Sequence, residues 1–423
     1  MIRTRSHHAM TSLIALALLS STNAGTGYLQ TRLVAAENKN DKVVVLETDL
    51  VADDPALIDR NGIVHSPFVL DPHLVNPWGV AEGPTSPFWI ADNNAGVSTL
   101  YRVPGAGGAP VSMIPTVFSI PSPSDRFGQT GTPTGAVFNT EISGQGFKVA
   151  GVDKGGNAAA APASFLFATE DGTIVGWNPG INPAGFDLSK AGTYGIIAVD
   201  NSENPTAADG AVYKGLAIAT DAAGKTFLYA TNFRAGTIEV YNDSFHRVTL
   251  PDGAFTDPHL PHDFAPFNIV LVGGRLFVTY AKQDKEKHDD VAGPAHGIVD
   301  TFDLTGNMLA RFAQHARLNS PWGVVQAPAS FDEFAGAILI GNFGDGRIHA
   351  FDPNTGDFLG AVTNSLGQEI LIDGLWTLTV GNGMNGGDPN AIYFTAGPNG
   401  EKHGLFGSLE PVALGTPCGM PCR

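Results

Sequence analysis

The sequence predicts an all-β protein built as a six-bladed β-propeller, and a repeated segment is the first observation that indicates it. LVNPWGVAEG starts at Leu74, and LNSPWGVVQA starts at Leu318. Four further segments are related to these two. The equivalent positions in the six segments are Trp78, Thr134, Lys214, Phe267, Trp322 and Trp376. Successive positions are 56, 80, 53, 55 and 54 residues apart, which indicates six consecutive structural repeats.

Each repeat also contains the signature of a β-hairpin. An apolar run such as FWIAD, FLFAT or FLYAT is followed by a polar turn, a glycine and a second β-rich run. We expect these glycines at hairpin turns, because glycine adopts a positive φ without strain. They are Gly96, Gly172, Gly236, Gly297, Gly346 and Gly404. Each repeat therefore holds at least three strands, which is typical of a propeller blade, with a solenoid as the alternative architecture.

The two ends of the repeat region favour the propeller. Residues 43–50 form a lone predicted strand before the first repeat, and the sixth repeat lacks a clear final strand after residues 404–410. The N-terminal strand can complete the last blade and so remove an exposed sheet edge. We therefore expect one propeller over residues 43–412. Within it, Trp78 and Trp322 should pack between blades, and the low-complexity inserts at 151–163 and over much of 178–210 should be surface loops.

Composition agrees with short strands that are joined by tight turns. The 423 residues include 52 glycines and 29 prolines, only 15% are charged, and 43% are hydrophobic, which is enough for a core. The formal net charge is −17, and no basic cluster stands out. An acidic surface repels phosphate backbones, so we expect no nucleic-acid partner.

The first residues are typical of an export signal. Arg3 and Arg5 precede an apolar run at residues 11–19, and small residues at 22–24 offer a cleavage site. That run is too short to act as a membrane anchor. We expect a signal peptide at 1–24, a linker at 25–42, a tail at 413–423, and a secreted or periplasmic monomer without a membrane anchor. In the tail, Cys418 and Cys422 either close a small disulfide loop or remain free thiols.

Several longer motifs carry a resemblance to a known family. They are TDLVADDPAL, LVNPWGV, DPHLPHDFAPFNIV, LNSPWGVV and GNFGDGRIHAFDPNTG. The chain resembles, over about residues 43 to 412, an uncharacterised family of exported, six-bladed, NHL-like propellers, many of which carry a PEP-CTERM sorting tail. This chain has no such tail after Pro411. The resemblance implies the fold and export, and it implies no activity.

The predicted ligand site lies around the mouth of the central channel. In a propeller, the loops that precede the innermost strands and the loops that join the second and third strands share one face. The ligand-binding residues expected from those loops are Asn93, Asn232, Arg234, Asn342 and Asp345. Lys214 also stands at the start of an inner strand. Asn and Asp are common at turns for reasons of geometry alone, which is the structural alternative.

Oxygen-bearing side chains at the starts of four inner strands form the predicted metal site. They are Asn76, Asn268, Asn319 and Asp373, and calcium is the cofactor that such a set would hold. Calcium-dependent propeller hydrolases use a comparable arrangement with a carboxylate that activates water. Histidines offer a second candidate site, for a transition metal, or alternatively they cap loops. These histidines are His73, His259, His262 and His315.

Two classes of function remain open from the sequence. The first is a secreted binding or scaffold module whose channel-mouth face takes a protein, a glycan or a small molecule. The second is a metal-assisted hydrolase or lyase with its site at the same mouth. The motifs HExxH, GxSxG, P-loop and GxGxxG are absent, and no catalytic residue is identified, which favours binding. The charged insert KQDKEKHDD at residues 282–290 is predicted to be a solvated rim loop, with contact to a partner as the alternative.

Overall fold

Two strands precede the first blade in the computed structural model, which describes residues 43–105, 111–123, 130–314 and 316–412. They are β1 (Val45–Ala52) and the short β2 (Val69–Leu70), which pair in parallel. The predicted signal peptide, the linker, the tail with its two cysteines, and His315 lie outside the described residues.

The first two blades are antiparallel sheets of four strands. In blade 1 they are β3 (Pro77–Ala81), β4 (Phe88–Asp92), β5 (Val97–Arg102) and β6 (Ser112–Ser119). Blade 2 begins with β7 (Pro133–Phe138). A separate hairpin follows, formed by β8 (Lys148–Val152) and β9 (Ala158–Pro162). The blade is completed by β10 (Phe165–Thr169), β11 (Thr173–Trp177) and β12 (Ile196–Asp200).

The next three blades follow the same plan. Blade 3 has three described strands, β13 (Tyr213–Thr220), β14 (Thr226–Asn232) and β15 (Thr237–Asn242). Blade 4 comprises β16 (Phe264–Val272), β17 (Arg275–Lys282), β18 (Gly297–Phe302) and β19 (Met308–Ala313). Blade 5 comprises β20 (Pro321–Gln326), β21 (Ile338–Asn342), β22 (Ile348–Phe351) and β23 (Phe358–Ala361).

Blade 6 joins the two ends of the described chain. Its own strands are β24 (Leu375–Val380), β25 (Ile392–Ala396) and β26 (Leu405–Pro411). β1 pairs antiparallel with β26, from Val45 opposite Pro411 to Ala52 opposite Leu405. The inner strands β3, β7, β13, β16, β20 and β24 contact one another in a closed ring. The six-bladed propeller and its closure by the N-terminal strand are therefore confirmed.

Helical segments are short and lie in the connections. They are 3₁₀ turns at Asn93–Ala95, Leu188–Lys190 and Ala329–Phe334, and one helical turn at Pro398–Glu401. Within the residues that the structure describes, none of the helices has the length and apolar character needed to cross a membrane.

The position of the repeated tryptophans differs from the expectation. Six apolar clusters fill the seams between neighbouring blades, one cluster for each seam. Trp78, Trp322 and Trp376 are in none of them, and they pack instead against Phe267 in a seventh cluster on the central axis. The expectation that Trp78 and Trp322 pack between blades is wrong, because the inner strands start so close together that these side chains meet at the centre.

A glycine follows four of the six equivalent positions, as Gly79, Gly135, Gly215 and Gly323, and it explains the rest of the repeated motif. A Cβ on Gly79 would lie 2.3 Å from the carbonyl oxygen of Thr134 on the next inner strand. A Cβ on Gly135 would lie 2.5 Å from the amide nitrogen of Leu216 on the strand after that. Glycine is therefore required for close approach of adjacent inner strands rather than for a turn.

Two other local expectations need correction. Gly96, Gly172, Gly236 and Gly346 have φ values of 66°, 82°, 68° and 72°, as expected at turns, but Gly297 and Gly404 have no positive φ. A Cβ on Gly404 would lie 1.8 Å from the carbonyl oxygen of Leu74, so this glycine also serves close approach. The inserts at 151–163 and 178–210 are not simple loops, since they contribute to β8, β9 and β12.

Candidate functional site

An aromatic layer closes the central channel and forms the floor of its mouth. Trp78 stacks on Trp376 with ring centroids 3.7 Å apart, and Trp322 meets Trp78 edge-on at 5.1 Å. Phe267 meets Trp322 edge-on at 5.0 Å, and Phe343 stacks on Trp376 at 3.9 Å. Four of the five rings of this aromatic floor stand at equivalent repeat positions, and Phe343 is the fifth. Thr134 and Lys214 occupy the other two equivalent positions.

Lys214 stands beside the aromatic floor and is almost completely buried. Its side chain is 1% exposed, and its Nζ lies 4.8 Å from the ring centroid of Trp78. The ammonium donates to Glu170 Oε1 and, at 3.3 Å, to Asp289 Oδ1. Burial alone would lower the pKa of Lys214, but the two carboxylates raise it above its usual value. Lys214 is therefore a permanent cation and cannot act as a neutral nucleophile.

A hydrogen-bond network continues from Lys214 around the mouth. Asn93 Nδ2 donates to Glu170 Oε2 at 2.8 Å. Asn76 Nδ2 donates to Glu401 Oε2 at 2.8 Å, and Asn76 Oδ1 accepts from Trp376 Nε1 at 3.0 Å. Asn76 Nδ2 is 3.5 Å from Asn93 Oδ1, which joins the two halves. We call this set the mouth network: Asn76, Asn93, Glu170, Lys214, His288, Asp289, Asp290 and Glu401.

Carboxylates outnumber bases in the mouth network. Its four acids are Glu170, Asp289, Asp290 and Glu401, and its two bases are Lys214 and His288. Burial raises the pKa of Asp290 to about 6, and burial raises the pKa of Glu401 to about 7. Asp290 Oδ2 is also buried without a hydrogen-bond partner among the described residues. An additional positive charge at the mouth would therefore be stabilised.

His288 and Asp289 form a close pair at the edge of the mouth. His288 Nδ1 lies 2.9 Å from Asp289 Oδ1. This hydrogen bond raises the pKa of His288, and it also lowers the pKa of Asp289 to about 2, with a further contribution from Lys214. One ligand atom each of Glu170, His288 and Asp289 lie within 4.8 Å of one another, a spacing that a metal ion would accept.

The structure brings only one of the five predicted ligand-binding residues into the mouth network, and that residue is Asn93. Asn232 Nδ2 donates to Glu239 Oε1 at 3.1 Å, and Arg234 donates to the carbonyl oxygen of Gly210 at 3.0 Å. Asn342 Nδ2 donates to Asp345 Oδ1 at 3.1 Å. Asp345 in turn pairs with Arg347. The contacts of these four residues are those of turn stabilisation.

The four predicted metal ligands have separate partners. Asn76 belongs to the mouth network, whereas Asn268 Nδ2 donates to the carbonyl oxygen of Trp322 at 2.9 Å. Asn319 Oδ1 accepts from the backbone nitrogen of Gly293 at 2.6 Å. Asp373 Oδ1 accepts from Arg60 Nε at 2.7 Å, and its Oδ2 accepts from the backbone nitrogen of Asn399 at 2.8 Å. Among the described residues, no hydrogen bond joins these four side chains, and calcium binding by them stays a prediction.

The predicted histidine site has a different outcome. His73 Nδ1 lies 3.0 Å from Asp71 Oδ1, and the backbone nitrogen of His259 donates to Asp257 Oδ1 at 2.9 Å, which are loop-capping contacts. Within the described part of the chain, the groups with metal-ligand spacing do not include His73, His259 or His262. Besides the group at the mouth, one further group occurs on β1 and its following loop. It consists of Glu47, Asp49 and His65.

The acidic half of the mouth network was not predicted from the sequence. Lys214 was expected at an inner-strand start without a role, and residues 282–290 were expected to form a solvated rim loop, although they supply His288, Asp289 and Asp290. A signal was present in the repeat alignment. Lys214 occupies the position that holds Trp or Phe in four other repeats, and a charged residue at an axial aromatic position requires charged partners.

Comparison with known proteins places the chain in a family. No protein-family model matches it. It is 31% identical over 350 residues to the uncharacterised protein R648 of Acanthamoeba polyphaga mimivirus, and this alignment covers 80% of this chain and 76% of R648. It is also 31% identical over 345 residues to the uncharacterised protein L690 of the same virus, and this alignment covers 80% of this chain and 81% of L690. The chain belongs to the family of these two viral proteins.

Solved structures that align with this chain have low sequence identity. A streptogramin B lyase structure aligns with 88% of this chain and 98% of that chain, at 11% identity and a TM-score of 0.43. A glucose dehydrogenase structure aligns with 79% and 96%, at 11% identity and a TM-score of 0.43. Similarity at this level does not extend to an activity.

Proposed function

We propose that the protein is a secreted or periplasmic binding propeller whose mouth network takes a small organic cation. The observation that carries this proposal is the surplus of acids over bases in a network that is contributed by five blades above an aromatic floor. Lys214 neutralises Glu170 and Asp289 in part. Asp290 and Glu401 have no ion-pair partner within the described part of the chain.

The chemistry of the walls favours an ammonium or guanidinium group. Carboxylates attract a cation by charge. The Trp78 ring is 3% exposed and already lies 4.8 Å from the ammonium of Lys214, so it stabilises Lys214, and the carboxylates supply the attraction for a ligand. The net charge of −17 adds long-range attraction for cations.

Substitution of Glu401 tests the proposal. We expect tetramethylammonium, 1,4-diaminobutane or guanidinium to bind the wild-type chain at pH 7.5 in calorimetric titrations. Glu401→Gln should weaken binding about tenfold, because it removes one carboxylate that faces the site. Glu410→Gln is the matched control, since Glu410 is an exposed residue at the end of β26. Equal affinities for wild type and Glu401→Gln, or no binding by any probe, would reject the proposal.

A metal-assisted hydrolase or lyase is the second candidate function. The spacing of Glu170, His288 and Asp289 favours it, and an imidazole ligand points to a transition metal rather than calcium. The ammonium of Lys214 opposes it, because that group already pairs with two of the three ligands. Zn²⁺ or Mn²⁺ binding that disappears in His288→Ala, together with no binding of the organic cations, would support this candidate instead.

A further inference from the structure

Three side chains of the types that bind metal ions lie together on the closing strand of blade 6 and on the loop that follows it. Glu47 and Asp49 are two residues apart on β1, so their side chains project from the same face of the strand. His65 belongs to the loop after β1. One ligand atom each of Glu47, Asp49 and His65 lie within 4.8 Å of one another. We call this set the β1 cluster.

The β1 cluster is separate from the mouth of the channel. In the sheet of blade 6, β26 and β25 lie between β1 and the inner strand β24. No residue of the mouth network belongs to the cluster. A ligand of the β1 cluster would therefore bind independently of a ligand at the mouth.

Backbone contacts hold His65 beside β1. Its backbone nitrogen donates to the carbonyl oxygen of Leu57 at 3.0 Å. Asp59 Oδ1 accepts from the backbone nitrogen of Ile63 at 2.8 Å, which stabilises the turn between Leu57 and His65. His65 is only 5% exposed. The fold therefore fixes the position of the imidazole.

The two ring nitrogens of His65 face different carboxylates. Nδ1 lies 3.1 Å from Asp49 Oδ1, while Asp49 Oδ2 accepts from the backbone nitrogen of Ser66 at 2.8 Å. Nε2 lies 3.9 Å from Asp59 Oδ2. Two ligand atoms that are bound to a tetrahedral zinc ion lie about 3.3 Å apart, so Nδ1 and Asp49 Oδ1 are close to that separation. Asp59 then faces the other ring nitrogen, as carboxylates do beside many metal-binding histidines.

The β1 cluster and its surroundings carry an excess of negative charge. Three carboxylates, those of Glu47, Asp49 and Asp59, act on one imidazole, and among the described residues no Lys or Arg pairs with any of them. Within the same part of the chain, Glu47 has neither a hydrogen bond nor an ion pair. Burial of its carboxyl group, together with the nearby Asp49, raises the pKa of Glu47 to about 7. A bound cation would supply the partner that Glu47 lacks.

We propose that Glu47, Asp49 and His65 bind a divalent transition-metal ion, with Zn²⁺ as the expected ion. A set of imidazole and carboxylate ligands suits Zn²⁺, whereas Ca²⁺ and Mg²⁺ take oxygen ligands. Three protein ligands leave a fourth position for water or another donor. The bound ion would also join β1 to its following loop and so secure the strand that closes the ring.

Calorimetric titration of the full chain, without an affinity tag, with Zn²⁺ measures the binding. His65→Ala should weaken it at least about 100-fold, because a ligand is lost. Asp59→Asn should weaken it about tenfold, because only the partner of the imidazole changes. His246→Ala is the control for loss of an imidazole, since His246 is exposed on another blade.

Thermal unfolding separates metal binding from a simple loss of stability. At a free Zn²⁺ concentration about 100 times the Kd, the wild-type Tm should exceed its value in chelator by about 3 °C. Glu47→Gln should lose this increment. Its Tm in chelator should stay close to that of the wild type, since Glu47 has no partner to lose. Glu410→Gln, which replaces an exposed carboxylate on β26, should retain the increment.

His288→Ala distinguishes the β1 cluster from the group of Glu170, His288 and Asp289 at the mouth. Zn²⁺ should still bind to His288→Ala with the affinity that is lost in His65→Ala. Binding of 1,4-diaminobutane, in turn, should persist in Glu47→Gln. Failure of this proposal is therefore distinguishable from failure of the proposed function.

Other results would overturn the assignment. They are the absence of Zn²⁺ binding, equal Zn²⁺ affinity in wild type, His65→Ala and Glu47→Gln, and a Tm increment that Glu47→Gln retains. Zn²⁺ binding that is lost in His288→Ala and kept in His65→Ala would place the ion at the mouth. Ca²⁺ or Mg²⁺ binding to the β1 cluster with the same affinity as Zn²⁺ would contradict the proposed class of ion.

Discussion

Replacement of Lys214 by methionine should destabilise the propeller, and this prediction tests the physical account of the mouth. Methionine can keep the apolar contact with the Trp78 ring while it removes the charge. Glu170, 9% exposed, and Asp289, 65% exposed, would lose their shared cation. Removal of one partner of a buried ion pair costs about 3–5 kcal/mol, but an exposed partner contributes only about 0–1 kcal/mol. We therefore expect a loss near the lower limit, about 3 kcal/mol.

The loss should depend on pH in a defined direction. At pH 8 the Asp290 and Glu401 carboxyls, with pKa values of about 6 and 7, are mainly ionised and repel the unpaired Glu170. At pH 5 both are mainly protonated, so the repulsion is smaller. The free energy of unfolding of Lys214→Met should therefore fall further below the wild-type value at pH 8 than at pH 5.

Urea denaturation followed by tryptophan fluorescence measures this effect, with Lys282→Met as the control. Lys282 pairs with Asp263, and both side chains are solvent-accessible, at 35% and 54%, so its loss should change the free energy of unfolding by less than about 1 kcal/mol. The double variant Lys214→Met with Glu170→Gln should recover part of the loss. Wild-type stability of Lys214→Met at pH 8, or a loss that is larger at pH 5, would show that Lys214 does not stabilise the carboxylates of the mouth network.

Three further predictions concern the scaffold. Deletion of residues 1–52 removes β1, exposes the edge of β26 and should reduce solubility and the cooperativity of thermal unfolding; unchanged unfolding would contradict closure by this strand. Trp78→Ala should lower the free energy of unfolding by about 3–5 kcal/mol in urea titrations, because the side chain is 3% exposed. A loss below about 1 kcal/mol would show that the aromatic floor is not packed. Asp373→Ala should lower the Tm equally in calcium and in chelator, because Arg60 holds this carboxylate. A loss seen only in calcium would instead support the cation site predicted from sequence.

The sequence predicts the scaffold well because each blade repeats a short local pattern. The six inner strands, the hairpin glycines at four of six turns and closure by β1 all follow from spacing, glycine chemistry and the need to cover a sheet edge. The axial position of Trp78 and Trp322 does not follow from these rules. It depends on how closely six inner strands approach the axis, which the glycine contacts reveal only in three dimensions.

The site is predicted less well because its residues come from loops that differ between blades. Asn93 and Asn76 were expected at the mouth, since they lie at positions that every blade presents there. Glu401 comes from the turn between β25 and β26, and Asp289 comes from a charged insert whose path no periodicity fixes. Each of these carboxylates is held at the mouth by a hydrogen bond to a residue of another blade, Glu401 by Asn76 and Asp289 by Lys214. The sequence of a single repeat does not contain these pairings.

The number of protons that leave the protein on binding of 1,4-diaminobutane tests whether an organic cation binds at the mouth network. Titration calorimetry at pH 6.5, in buffers with different ionisation enthalpies, measures this number. We expect net proton release, because a cation at the mouth network stabilises the ionised forms of Asp290 and Glu401 and so lowers their raised pKa values. The release should shrink in Glu401→Gln and stay unchanged in Glu410→Gln. Binding with no proton release, or with release that is unaltered in Glu401→Gln, would contradict the account.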